Sequence, residues 1–67
     1  MMEDKKEIFI NNDIRCLISF KKECLTVIYK YKFSAKEVDL TISTIKKQTG
    51  INFLDLALYR IDIVKVN

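Results

Sequence analysis

The chain has no histidine, no proline and no tryptophan, one glycine and two cysteines. Each absence removes a class of chemistry. Without histidine there is no imidazole to act as a general base near neutral pH or as a zinc ligand. Cys16 and Cys24 lack the C-x-x-C spacing, so they do not compose a zinc site either. There is no glycine-rich phosphate loop, no nucleophile elbow and no paired-carboxylate spacing. No catalytic residue, metal or cofactor is therefore expected, and the protein reads as a non-enzyme. Asp39, Asp55 and Asp62 read as cap and surface residues, and Ser43 and Thr44 as solvent-facing helix positions. No run of eighteen apolar residues occurs, and the start MMEDKKE lacks a signal-peptide core. A cytoplasmic protein with no membrane partner is expected.

What is present is a dense mixture of apolar and charged residues, 49% and 31% of the chain. That balance predicts a folded globular chain. Sixty-seven residues make one small domain, 1–67, which buries a modest share of its surface and gains from a partner or a second copy. The charge is uneven. Arg15, Lys21, Lys22, Lys30, Lys32 and Lys36 face only Glu23 across residues 14–36, while residues 1–13 are net acidic and 37–67 are balanced. A basic middle third attracts phosphate backbones, although such a stretch is as often a solvated face.

Residues 1–7 read as a charged, frayed tail. Ile8–Ile10 is a short apolar patch ended by the turn-prone Asn11-Asn12-Asp13. Ile14, Cys16, Ile18 and Phe20 share one parity and predict a strand over 14–20, although Ile14, Leu17, Ile18, Leu25 and Ile28 also sit at helical spacing. A strand over 24–33 follows, with Leu25, Val27, Tyr29, Tyr31 and Phe33 on one face and Thr26, Ile28, Lys30 and Lys32 on the other. A hairpin turning at Lys21–Glu23 with Phe20 opposite Cys24 would set Cys16 opposite Ile28, which disfavours a disulfide and leaves buried thiols.

Ser34 and Glu37 have the S-x-x-E spacing of a capping box. Behind them Ala35, Val38, Ile42, Ile45 and Thr49 form one helical stripe, and Gly50 suits the left-handed position after the helix end. A helix over 35–48 is predicted. Past Gly50 two readings compete. The preferred one is a second helix over about 53–64, opened by Asn52 and Asp55. The alternative is a final strand over 57–66, because Tyr59, Ile61 and Ile63 alternate with Arg60 and Asp62. The fold class is α+β in both cases: one or two N-terminal strands and two helices, or a ββαβ sheet-plus-helix domain.

The stretch YKYKFSAKEVDLTISTIKKQTGINFLDLALYRI resembles, in spacing, the ribbon-helix-helix family of DNA-binding proteins over about residues 29–61. The likeness lies in an alternating strand, a capped helix with apolar Val38, Ile42 and Ile45, a Thr49-Gly50-Ile51 turn, and a second helix opening Asn52-x-x-Asp55-Leu56. It implies a homodimer whose paired strands enter the major groove of double-stranded DNA, as in a transcriptional regulator or a plasmid or phage accessory factor. By position, Ile28, Lys30 and Lys32 would face the bases. The backbone at Ile51, Asn52 and Phe53 would meet a phosphate. The competing expectation is a protein–protein interaction module, a small regulator or inhibitor with no nucleic-acid binding. There the lysines guard a strand edge that Ile14–Phe20 covers. A third reading stacks single-stranded bases on Tyr29, Tyr31 and Phe33 and needs those rings exposed.

Overall fold

The structure is a computed structural model and describes residues 5–66. Along the chain lie β1 (Lys5–Asn11), β2 (Ile14–Ser19), β3 (Cys24–Tyr29), α1 (Ala35–Thr49), α2 (Phe53–Leu56) and β4 (Arg60–Lys65). The strands form one sheet in the order β1-β2-β3-β4. The first three strands run antiparallel, and β4 lies parallel to β3. A parallel neighbour needs a long crossover, which the segment containing both helices supplies. The fold is α+β, in the form that ends on a strand.

Hydrophobic alternation sets the register. Ile14, Cys16 and Ile18 stand opposite Tyr29, Val27 and Leu25, so both apolar sets share one face of the sheet. The expected pairing of Cys16 with Ile28 is therefore off by one residue. It would have turned the apolar side chains of one strand to the opposite face from those of the other. The observed pairing leaves a turn over Phe20–Glu23, in which Glu23 takes a positive φ of 49°. Cys16 is buried and Cys24 half-buried, and neither is bridged.

Ile8, Ile14, Cys16, Ile18, Leu25 and Val27 form the sheet side of the core, and Ile45 of α1 and Leu56 of α2 close it. The backbone of α1 comes closest to the sheet over β1. The helix ends where expected: the Gly50 N–H donates to the Lys46 carbonyl at 2.8 Å, with Gly50 at φ 79°. Its start differs from a reciprocal capping box. The Ser34 hydroxyl donates to both carboxylate oxygens of Glu37, at 2.9 and 2.8 Å, and makes no bond to the helix backbone.

Three other expectations are corrected. Lys5–Glu7 belong to β1, whereas the rest of the expected tail, residues 1–4, lies outside the described residues. The third strand stops at Tyr29, short of Phe33. There the Lys30 N–H turns back to the Asp13 carbonyl at 3.0 Å, and Phe33 returns to stack on Tyr29 with ring centres 5.9 Å apart. The second helix does not run over 53–64. It closes after Leu56, and the Arg60 N–H then donates to the Glu23 carbonyl at 2.8 Å to begin the ladder with β3. The physical reason is shared between side chains and backbone. Ile61, Ile63 and Val64 fit a pleated surface, and a strand here satisfies the second edge of β3, which a helix would leave without partners.

Candidate functional site

The residues expected to read DNA are not brought together. Ile28 is half-buried on the sheet face away from α1. Lys30 and Lys32 are exposed but lie past the end of β3, outside any strand. Ile51 packs against the core, and exposed Asn52 and Phe53 open α2. The chain passes from α2 into β4 beside Cys24, whereas Lys30 follows Tyr29, so the two groups sit at opposite ends of β3. The Asn52 N–H donates to the Asp55 carboxylate at 3.3 Å, which fills the place a phosphate would take. β3 itself has β2 on one side and β4 on the other, so it has no edge to share in a ribbon.

The aromatic stripe also divides. Tyr29 and Phe33 are partly buried against the core, and Tyr31 is 73% exposed. A hollow of about 520 Å³ beside Tyr31 carries Lys32 and Lys36 but also Asp13 and Glu37. The two bonds from the Ser34 hydroxyl hold the Glu37 carboxyl below its ordinary range, so it stays ionised there. With both signs interleaved, the hollow presents no uniform field to a polyanion.

A different surface is continuous. Because α1 lies toward β1, a groove of about 270 Å³ remains between the helices and the inner face of β3 and β4. Leu25, Val27, Ile42, Phe53, Ile61 and Ile63 line much of it. Thr41, also on its wall, donates its hydroxyl to the Glu37 carbonyl at 2.8 Å and so brings no unsatisfied polar group. Of its lining, Phe53 is 59% exposed and Ile63 54%, and Leu54 and Leu58, next in sequence to the lining residues Phe53 and Ala57, are 78% and 75% exposed. Single exposed apolar residues are ordinary, but a contiguous set marks a contact surface.

The outer side of β4 adjoins this patch. The N–H of Arg60 and that of Val66 donate to carbonyls of Glu23 and Tyr29, at the two ends of the β3 ladder. Even-numbered residues of β4 thus bond toward β3. Ile61, Ile63 and Lys65 direct their N–H and C=O groups to the open side. Among the described residues no strand lies beyond β4. Arg60 Nε sits 3.4 Å from Asp62 Oδ1 on the sheet face away from the groove, and the Cys24 sulfur lies 3.8 Å from Asp62 Oδ2.

Cys16 offers no reactive thiol, because burial pushes its pKa up to about 11. Among the described residues no three His, Cys, Asp or Glu side chains gather as a metal-binding set, and no helix is long and apolar enough to cross a membrane. Sequence reasoning misses the apolar patch as a site because it places Leu54, Leu58, Ile61 and Ile63 on a helix whose apolar rows would be buried. The signal that could find it is the alternation of Tyr59, Ile61 and Ile63 with Arg60 and Asp62. Comparison with protein-family models, with curated proteins and with solved structures finds no match to this chain.

Proposed function

We propose that this chain is a non-enzymatic protein-interaction module, a small regulator or inhibitor that binds through the groove and the outer side of β4. The carrying observation is the apolar groove lined by Phe53, Ile61 and Ile63, all substantially exposed, beside outward-directed backbone groups and with exposed Leu54 and Leu58 in the same segment of chain. An added strand gains main-chain hydrogen bonds there, while the groove accepts its apolar side chains. The basic excess of the middle third contributes solubility and general attraction to acidic partners.

The test sets this reading against duplex DNA binding. The mass in solution is measured at physiological salt with and without a DNA duplex. The expected result is a mass that DNA does not change. A salt-dependent complex that weakens when Lys30 and Lys32 become alanine would overturn the proposal. A second arm replaces Leu54 and Leu58 with serine. These side chains are exposed, so the melting temperature should stay within a few degrees while self-association or partner binding is lost.

A further inference from the structure

We infer that the occupant of this surface is a second copy of the same chain, paired antiparallel β4 to β4 about a twofold axis at Ile61. The inference rests on the interaction-module reading and names its partner. The result is a continuous sheet of twice four strands, with the two grooves side by side on one face.

Charge selects both the partner and the register. In a symmetric antiparallel pair, residues facing each other have numbers summing to twice that of the central residue. Centring on Asp62 would set one aspartate against the other, which is unfavourable. Centring on Ile63 would put Asp62 opposite Val64 and Ile61 opposite Lys65, leaving each charge across from an apolar group. Centring on Ile61 puts Arg60 of each copy opposite Asp62 of the other and Ile61 opposite Ile61, so residues 60–62 of the two strands pair. Ile63 lies across from Tyr59, which precedes β4 and has its N–H held by the Leu56 carbonyl. The Arg60–Asp62 contact within each chain then becomes a four-membered cluster of alternating sign.

The backbone agrees with this register. Ile61 directs its N–H and C=O outward, so two copies exchange both bonds at the axis. Arg60 and Asp62 fall at the flanking positions without cross-strand bonds, where facing side chains approach most closely. A stable dimer buries about 800 Å² per partner, roughly one-sixth of the 5089 Å² exposed by the chain.

The experiment is charge reversal followed by mixing. Wild-type protein should sediment as a dimer of the 7.9 kDa chain at micromolar concentration. Arg60→Asp makes both positions of the cross-strand pair acidic, and Asp62→Arg makes both basic. Each variant alone should dissociate about a hundredfold more readily, because like charges then face each other twice. Circular dichroism should show both still folded, since Arg60 is largely exposed and Asp62 partly so. Mixed one to one, the two variants should re-form a dimer, because the two acidic side chains of one then face the two basic side chains of the other across the axis. Mixing cannot restore a contact within a chain, so recovery belongs to the interface alone. A monomeric wild type, variants that stay dimeric, or a mixture that stays monomeric would overturn the inference. A monomer that binds no DNA would leave the module reading standing, whereas a dimer that binds duplex DNA would overturn that reading and keep the dimer.

Discussion

β1 and β4 are the two outer strands of one sheet, yet they meet solvent differently. β1 opens with exposed Lys5, Lys6 and Glu7, and its register shifts between Phe9 and Asn11. Charged side chains and a bulge are devices that discourage a second strand from docking. Glu7 is further tied to Arg15 of β2 at 2.9 Å, and Ile8 is fully buried under α1. β4 keeps a regular register over its whole length, and its Ile61, Ile63 and Val64 are all substantially exposed. β4 carries charges too, in Arg60, Asp62 and Lys65, so what closes the β1 edge is irregular pairing and a helix. The β4 edge keeps the backbone and apolar groups that a partner strand uses. In a chain this small, leaving one edge open is consistent with completing its core by association.

Four experiments break or sharpen that contrast, beginning with the largest effect. Ile8→Ala removes a fully buried side chain at the closed edge and should cost about 2–5 kcal/mol in urea unfolding. Ile63→Ala at the open edge should cost less than about 1 kcal/mol when measured on monomer. Equal losses would mean the two edges are packed alike.

Next is the pH dependence of the sheet interior between them. Cys16 ionises near 9 when unfolded and near 11 when folded. Between these values the folded state holds the extra proton, so stability should fall as pH rises from 9 to about 11. The loss should be on the order of 1–2 kcal/mol after allowance for solvent near the thiolate. Chemical denaturation across that range should be flatter for Cys16→Ala, and an identical slope would remove Cys16 as the cause. At neutral pH a thiol reagent should modify Cys24 well before Cys16.

Amide exchange gives a smaller but direct comparison. Protection at Ile61 and Ile63 should rise with protein concentration, by about tenfold for each 1.4 kcal/mol of added pairing. Protection along β1 should not change. Concentration-independent exchange at β4 would mean that its outer side takes no partner strand. The smallest effect is Ser34→Ala at the start of α1, the helix that closes the β1 side. It should leave the melting temperature almost unchanged, because the hydroxyl bonds no helix N–H. It should also let the Glu37 carboxyl rise toward its ordinary value, read by NMR titration. The contribution that Ser34 gives to ionised Glu37 is present above the usual glutamate range and lost as pH falls through the lowered value.

Much of the local structure is legible in the sequence. Val38, Ile42 and Ile45 mark α1 by their spacing, and Gly50 marks its end, because a helix repeats every 3.6 residues and its last turn favours a residue tolerant of positive φ. The strands through Cys16 and Val27 are legible from their two-residue alternation. Their mutual register is not, because a turn of three or four residues between them moves the pairing by one, and only burial of both apolar sets selects between the two. The candidate surface is the least legible part. Leu54, Leu58 and Ile61 satisfy helical spacing while Tyr59, Ile61 and Ile63 satisfy strand spacing, so pattern alone does not assign them.

By itself the sequence determined the α+β class, the position and ends of α1, the apolar parity of the strands and the lack of imidazole chemistry. These follow from short-range periodicity and residue type. Only the tertiary structure decided that residues 60–65 join β3 as a parallel strand, that Lys30 and Lys32 fall beyond the sheet, and that among the described residues no strand covers the outer side of β4. Those outcomes depend on which distant segment satisfies the second side of β3 and on where a single helix lies across a sheet of four strands. No window of neighbouring residues carries that information, because the competing partners are separated along the chain and are compared only when the core is assembled.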